Sequence, residues 1–211
     1  MQQVKEIEKE LVDYYKSHLD KYGPGAMGVG WKNEMAQHNR FEQLIKIIQP
    51  GSHFSINDIG CGVGDFYTYL CGKSYGCFDY YGYDMLELML AVSKARFNGA
   101  KNISWVRINE ACDLHTADYT VASGIFNLKY AIAESEWMKY IIETLGHINK
   151  KSKRGFAFNM LTSYSDKELM KDDLYYSDPL FFFDLCKKHF SKNVALLHDY
   201  YEYDFTILVR K

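Results

Sequence analysis

The chain has 211 residues, 47% of them hydrophobic, and a formal charge of −2 from 25 Lys and Arg against 27 Asp and Glu. That length supports one sizeable core and hardly two, and the charge balance lacks the cation excess on which phosphate-backbone affinity rests, which disfavours nucleic acid as a partner. Five cysteines without a CxxC pair, a charged amphipathic N-terminus and no run near the roughly 18 apolar residues of a membrane span predict a cytoplasmic, one-domain protein, monomer or homodimer, free of membrane contact and disulfide framework.

In chain order, Val4, Ile7, Leu11, Tyr14 and Leu19 fall near helical spacing, and "YGPGAMGVGW" then breaks the helix with four glycines and a proline. A second helix is predicted from about Glu34 to Ile48, with Met35, Phe41, Leu44, Ile45 and Ile48 inward and Pro50-Gly51 ending it. Strands follow near 54–59, 78–83, 103–107, 118–123 and 155–159, with helices near 65–72, 86–97 and 134–149 between them. This alternation predicts an α/β fold, a Rossmann-like doubly wound sheet that is mostly parallel. The tail "NVALLHDYYEYDFTILVRK" reads as two strands joined by a short polar turn, which must pair antiparallel.

"INDIGCGVGDF", residues 56–66, places three glycines in five positions at the carboxyl end of the first strand, where open α/β sheets bind ligands. Gly60 and Gly62 permit a turn and a close approach of backbone to ligand. A dinucleotide fingerprint, GxGxxG, requires glycine at position 65, where the chain has Asp65; its third glycine is Gly64. An aspartate there also repels a pyrophosphate drawn to the helix N-terminus. The "DIGCGVG" pattern, with Asp58 and Cys61, resembles motif I of the class I S-adenosylmethionine-dependent methyltransferases.

That resemblance implies an acidic residue at the end of the second strand to accept hydrogen bonds from both ribose hydroxyls. "YYGYDML" supplies Asp84, with Met85 beside the adenine; the alternative is that Asp84 caps the following helix. In "INEACDLHTADYTVASGIFN" the resemblance implies an adenine contact from Asn109 or Glu110, an acidic residue, Asp118, opening strand four, and Ser123 and Gly124 beneath the transferable methyl. It covers about residues 54–160 plus the terminal hairpin. "SGIF" and Asn127 stand where amino-directed DNA and protein-glutamine enzymes carry "DPPY" or "NPPY", and no carboxylate and amide pair suggests a catalytic metal.

The acceptor must then be met by the loops above the sheet and by residues 1–50, a helical lid over a core of 51–211. Gln37 and Arg40 lie three apart on a helix and could bind one anionic or polyhydroxylated group, or form a solvated face with Arg40 paired to a nearby acid. Trp31 either closes over the cofactor or anchors the core. Tyr175, Tyr176, Tyr200 and Tyr201 offer polar tips on apolar bodies, and His198 is the candidate general base, with a structural role as the alternative. The size and motif order resemble small bacterial O-methyltransferases acting on surface-sugar precursors or phosphonate-type metabolites. The implied activity is methyl transfer from S-adenosylmethionine to an oxygen of a small molecule; the alternatives are a small-molecule N-methyltransferase and a catalytically silent cofactor-binding module.

Overall fold

The computed structural model describes residues 2–49, 51, 53–200 and 202–211, and of residues 2–9 only the backbone. Strands β1 (Phe54–Ile59), β2 (Phe78–Asp84), β3 (Ile103–Arg107), β4 (Ala117–Ala122), β5 (Ser152–Leu161), β6 (Asn193–Leu197) and β7 (Asp204–Arg210) form one sheet in the order β3-β2-β1-β4-β5-β7-β6. The first five are parallel, and β7 runs antiparallel between β5 and β6. The helices are α1 (Gln2–Tyr22), α2 (Glu34–Leu44), α3 (Asp65–Cys71), α4 (Glu87–Arg96), α5 (Glu134–Lys151) and α6 (Pro179–His189).

The period-two pattern of the strands divides the core between two faces. Phe156, Phe158 and Met160 of β5, with Phe205, Ile207 and Val209 of β7, pack under Ile141, Leu145 and Ile148 of α5 and Phe182 of α6. The alternate residues, Ala157 and Leu208, join Phe54, Ile56, Tyr80 and Val121 against Phe41 and Leu44 of α2 and Phe66 and Leu70 of α3. No helix of the described residues is long and apolar enough to cross a membrane.

One expectation about α2 is corrected. Met35 points outward, 73% exposed, and α2 ends at Leu44 in a tight 3₁₀ turn, Ile45–Ile47. The inward stripe instead includes Gln37 and Arg40, both buried. Polar side chains hold these positions because each finds a partner there: Gln37 Nε2 donates to Asp65 Oδ2 at 3.1 Å, and Arg40 pairs with Asp204.

Candidate active site

The strand order reverses between β1 and β4, whose last residues, Ile59 and Ala122, are in register. Chains leaving such a point diverge and open a crevice outside the carboxyl ends of the strands. A cavity of about 760 Å³ occupies it, walled by the glycine loop, Asp84, Asn109, Ser123 and α1, within the size range of small-ligand sites.

The three loop glycines differ in what they do. Gly62 has φ of 53°, yet a Cβ there would meet only Val29 Cγ1, at 3.4 Å, so backbone conformation and not crowding demands glycine. At Gly64 a Cβ would come within 2.5 Å of Phe97 Cε2 and 2.7 Å of Trp105 Cη2. Gly64 therefore seats the start of α3 on the core, and it does not line the cavity. At Gly60 a Cβ would strike Ile125 Cγ2 at 2.3 Å, which makes this glycine the condition for the loops after β1 and β4 to touch.

Asp84, at the end of β2, accepts from Gly62 N–H at 2.9 Å through Oδ2 and from Leu86 N–H at 2.9 Å through Oδ1. Asp84 does not cap α4, which begins at Glu87 without a side-chain cap; its carboxylate has about four lone-pair sites and these bonds use two, which leaves room for a ligand. Burial pushes its pKa up, opposed by the backbone N–H groups of Leu86, Gly62 and Met85. Deeper in the cavity wall, Tyr80 donates its hydroxyl to Asp58, and Asp58 is fully buried. Desolvation raises its pKa to about 7 against that bond, with Asp84 and Asp65 pushing the same way.

A carboxyl that keeps its proton longer when folded makes stability fall as pH rises, because the native state then binds more protons than the unfolded chain. For Asp58 the window runs from the unfolded value, about 3.9, to about 7. The ligand-free protein is therefore expected to melt lower at pH 7.5 than at pH 5, and Asp58→Asn should flatten part of that slope, buried Asp84 and Asp204, whose pKa values are also raised, contributing with the same sign. Melting curves at the two pH values check it; an equal slope in the variant would assign the dependence elsewhere.

No protein-family model matches the chain. A curated protein of Mycobacterium tuberculosis (strain ATCC 25618 / H37Rv), named "Putative methyltransferase Rv1506c", is 48% identical over 170 residues, 79% of this chain and 99% of that protein. The chain belongs to the class I S-adenosylmethionine-dependent methyltransferases. Among solved structures, the fold of this methyltransferase is similar to the DhpI complex with S-adenosylhomocysteine (SAH), at 12% identity, TM-score 0.62, 96% of this chain and 95% of that one. It is also similar to magnesium protoporphyrin IX methyltransferase from Synechocystis PCC 6803 with bound SAH, at 15% identity, TM-score 0.57, 77% of this chain and 75% of that one.

The site fits S-adenosylmethionine, the cofactor of this methyltransferase. Among the described residues six carboxylates (Asp58, Asp65, Asp84, Glu110, Glu136 and Asp173) line the cavity with one ammonium, Lys171, which suits a ligand carrying a sulfonium and an ammonium. Of the residues the sequence assigns to the cofactor, Asp58, Gly60, Cys61, Gly62, Asp84, Met85, Asn109, Glu110 and Ser123 line the cavity, and Gly64 does not. Asp65 caps the glycine loop from the first turn of α3, accepting from Gln37 and, at 2.8 Å, from Arg96. Asp118 lies instead near the amino ends of the strands, where it accepts from Ser55 N–H at 2.8 Å and joins β1 to β4.

The acceptor residues expected from the sequence divide. Trp31, Gln37 and Asn127 line the cavity; Arg40, Tyr176, Tyr200 and His198 do not. Arg40 is buried between Asp204, Glu202 and the Trp31 ring, 4.4 Å away, so its charge is spent inside the protein. Tyr200 bonds Thr206 Oγ1 at 3.0 Å, and the Tyr176 hydroxyl accepts from Lys171 N–H. Tyr175 is core, His198 is exposed in the turn between β6 and β7, and Tyr201 lies outside the described residues. Sequence reasoning missed Tyr15 and Tyr130 on the cavity wall and assigned Tyr14 only to a helical stripe. The signal available was "DYY" on α1, two adjacent aromatics of which one lies off any narrow apolar stripe.

Proposed function

We propose that this methyltransferase acts on an oxygen of a small molecule: a hydroxyl, phosphoryl or carboxylate oxygen of the kind carried by surface-sugar precursors and phosphonate-type metabolites. The observation that carries the reading is the cavity itself: Tyr14, Trp31, Asn127, Tyr130 and Leu161 line it beside the residues named above, and its volume of about 760 Å³ is in the range of small-molecule sites.

When bound, the cofactor supplies an electrophilic methyl on a positively charged sulfur. The chain's own residues supply alignment and dryness, on which an in-line displacement depends strongly. Trp31 is held between Arg40 and the backbone of Gly124, where a Cβ would come within 2.9 Å of its Cζ2. Its ring thereby walls the cavity beside the end of β4. Asn127 Oδ1 accepts from Leu161 N–H at 3.2 Å, which fixes the amide on the wall.

Among the described residues no histidine lines the cavity. His198→Ala is therefore expected to leave kcat within about twofold of wild type, whereas loss of a general base costs roughly 10² to 10⁴; a loss of that size would return His198 to the reaction. The test of the reading is SAH release on incubation with sugars, nucleotide sugars, phosphonates, small acids and small amines. Turnover confined to the amines would favour the second reading, N-methylation, to which the carboxylate-rich cavity also lends support.

A further inference from the structure

After β4 the chain turns at 127–130 and pairs with 173–175. Leu128 bridges antiparallel to Leu174, Tyr175 N–H donates to the Asn127 carbonyl at 2.8 Å, and the N–H groups of Lys129 and Tyr130 both donate to the Asp173 carbonyl at 3.0 Å. These bonds hold Tyr130 at φ of 49°, the one non-glycine residue with positive φ among the described residues. Bulky L-residues avoid that conformation, and where it persists the surroundings impose it, most often at functional sites.

The turn sets a phenol on the cavity wall whose hydroxyl oxygen is buried and has no hydrogen-bond partner among the described residues. A buried hydroxyl has given up water, so a native structure seldom leaves one unpartnered without a reason. Tyr130 lines the same cavity as Tyr14, Asn127 and Asp173. Burial first, then Glu10, Tyr14 and Asp173, pushes the Tyr130 pKa up, which keeps the phenol a hydrogen-bond donor. The charge around it leans one way: among the described residues the cavity wall carries Asp84, Glu110, Glu136 and Asp173 against Lys171, while Asp65 is paired with Arg96, Asp58 keeps its proton up to about pH 7, and Arg40 is neutralised elsewhere. A cleft so lined repels anions.

We propose that Tyr130 is the acceptor-binding residue of this methyltransferase and that the acceptor it selects is a hydroxyl-bearing molecule without negative charge. The proposal rests on the small-molecule oxygen reading above and narrows it, since phosphoryl and carboxylate oxygens drop out. Tyr14 and Trp31 supply flat apolar walls for the body of such a molecule, and the Tyr130 O–H donates to its oxygen.

Wild type and Tyr130→Phe, each saturated with SAH, are titrated with phenol, benzylamine and benzoate, three one-ring probes that differ in charge. Phenol and benzylamine are expected to bind wild type at least about fivefold tighter than benzoate, and Tyr130→Phe to weaken phenol alone by roughly three- to tenfold. SAH affinity should not change. The ligand-free variant should melt at or above the wild-type temperature, because an unpartnered buried hydroxyl has been removed. Benzoate binding as tightly as phenol, equal phenol affinity in the two proteins, or a lower melting temperature in Tyr130→Phe would each overturn the proposal. Failure of SAH to bind wild type would sink the underlying reading instead, a result distinct from all of these.

Discussion

Arg40→Ala is expected to destabilise the protein by about 3 to 5 kcal/mol, the usual cost of removing one partner of a buried ion pair. The Asp204 side chain is fully buried, and Arg40 Nη2 is the group that compensates its charge, with Glu202 Oε2 3.4 Å from Nη1 adding a second acid to the cluster. For a chain of this length the loss corresponds to a fall in melting temperature of roughly 6 to 20 °C. The pH dependence has a definite sign. Burial already raises the Asp204 pKa, and Arg40 is the first of the influences lowering it; without Arg40 the carboxyl holds its proton still longer in the folded state. Stability is then lost as pH rises through the folded value, so the deficit should be larger at pH 7.5 than at pH 5. Thermal melts at both pH values decide it, and a deficit below about 1 kcal/mol at pH 7.5 would mean that the pair is solvated, as surface pairs are.

Asp84→Ala is expected to weaken S-adenosylmethionine binding by roughly 10- to 150-fold, from about 1.5 to 3 kcal/mol for hydrogen bonds to a charged acceptor. Two effects act together. The ligand loses its carboxylate partner, and the Gly62 N–H that Asp84 holds at 2.9 Å loses its anchor, which frees the glycine loop. Asp84→Asn separates them. Its amide oxygen can still accept from Gly62 N–H while carrying no charge, so its affinity should fall between wild type and Asp84→Ala. Calorimetric titration of the three proteins provides the order; equal affinities would remove Asp84 from the site.

The cofactor half of the site was legible in the sequence because its chemistry is local. "DIGCGVG" and Asp84 belong to adjacent strand ends of one β-α-β unit, and spacing alone brings them together. The acceptor half depends on contacts between segments far apart in the chain. That Arg40 pairs with an acid is readable as an alternative, but which acid, and that the pair is buried, is not until Asp204, 164 residues away, is placed beside it. Tyr14 looks like part of a helical stripe until α1 is laid across the ends of the strands, and Tyr130 looks like any loop tyrosine until the Asp173 carbonyl fixes its backbone. His198 is the right residue type for a base in the wrong place: the turn between β6 and β7 reaches the same side of the sheet, yet it lies outside the cavity. Even within the motif, where both glycines have positive φ, the sequence does not show that Gly64 and not Gly62 is also required by the close packing of Phe97 and Trp105.

The cavity between β1, β2 and β4 as a site for S-adenosylmethionine, and not for a dinucleotide, is tested most directly by titrating the wild-type protein with SAH and with NAD under the same conditions. Asp65 at the start of α3 stands where a pyrophosphate would have to approach, and the cavity's carboxylates favour a cationic ligand. The expected result is saturable one-to-one binding of SAH with no measurable heat from NAD. NAD binding as tightly as SAH, or SAH failing to bind, would contradict it.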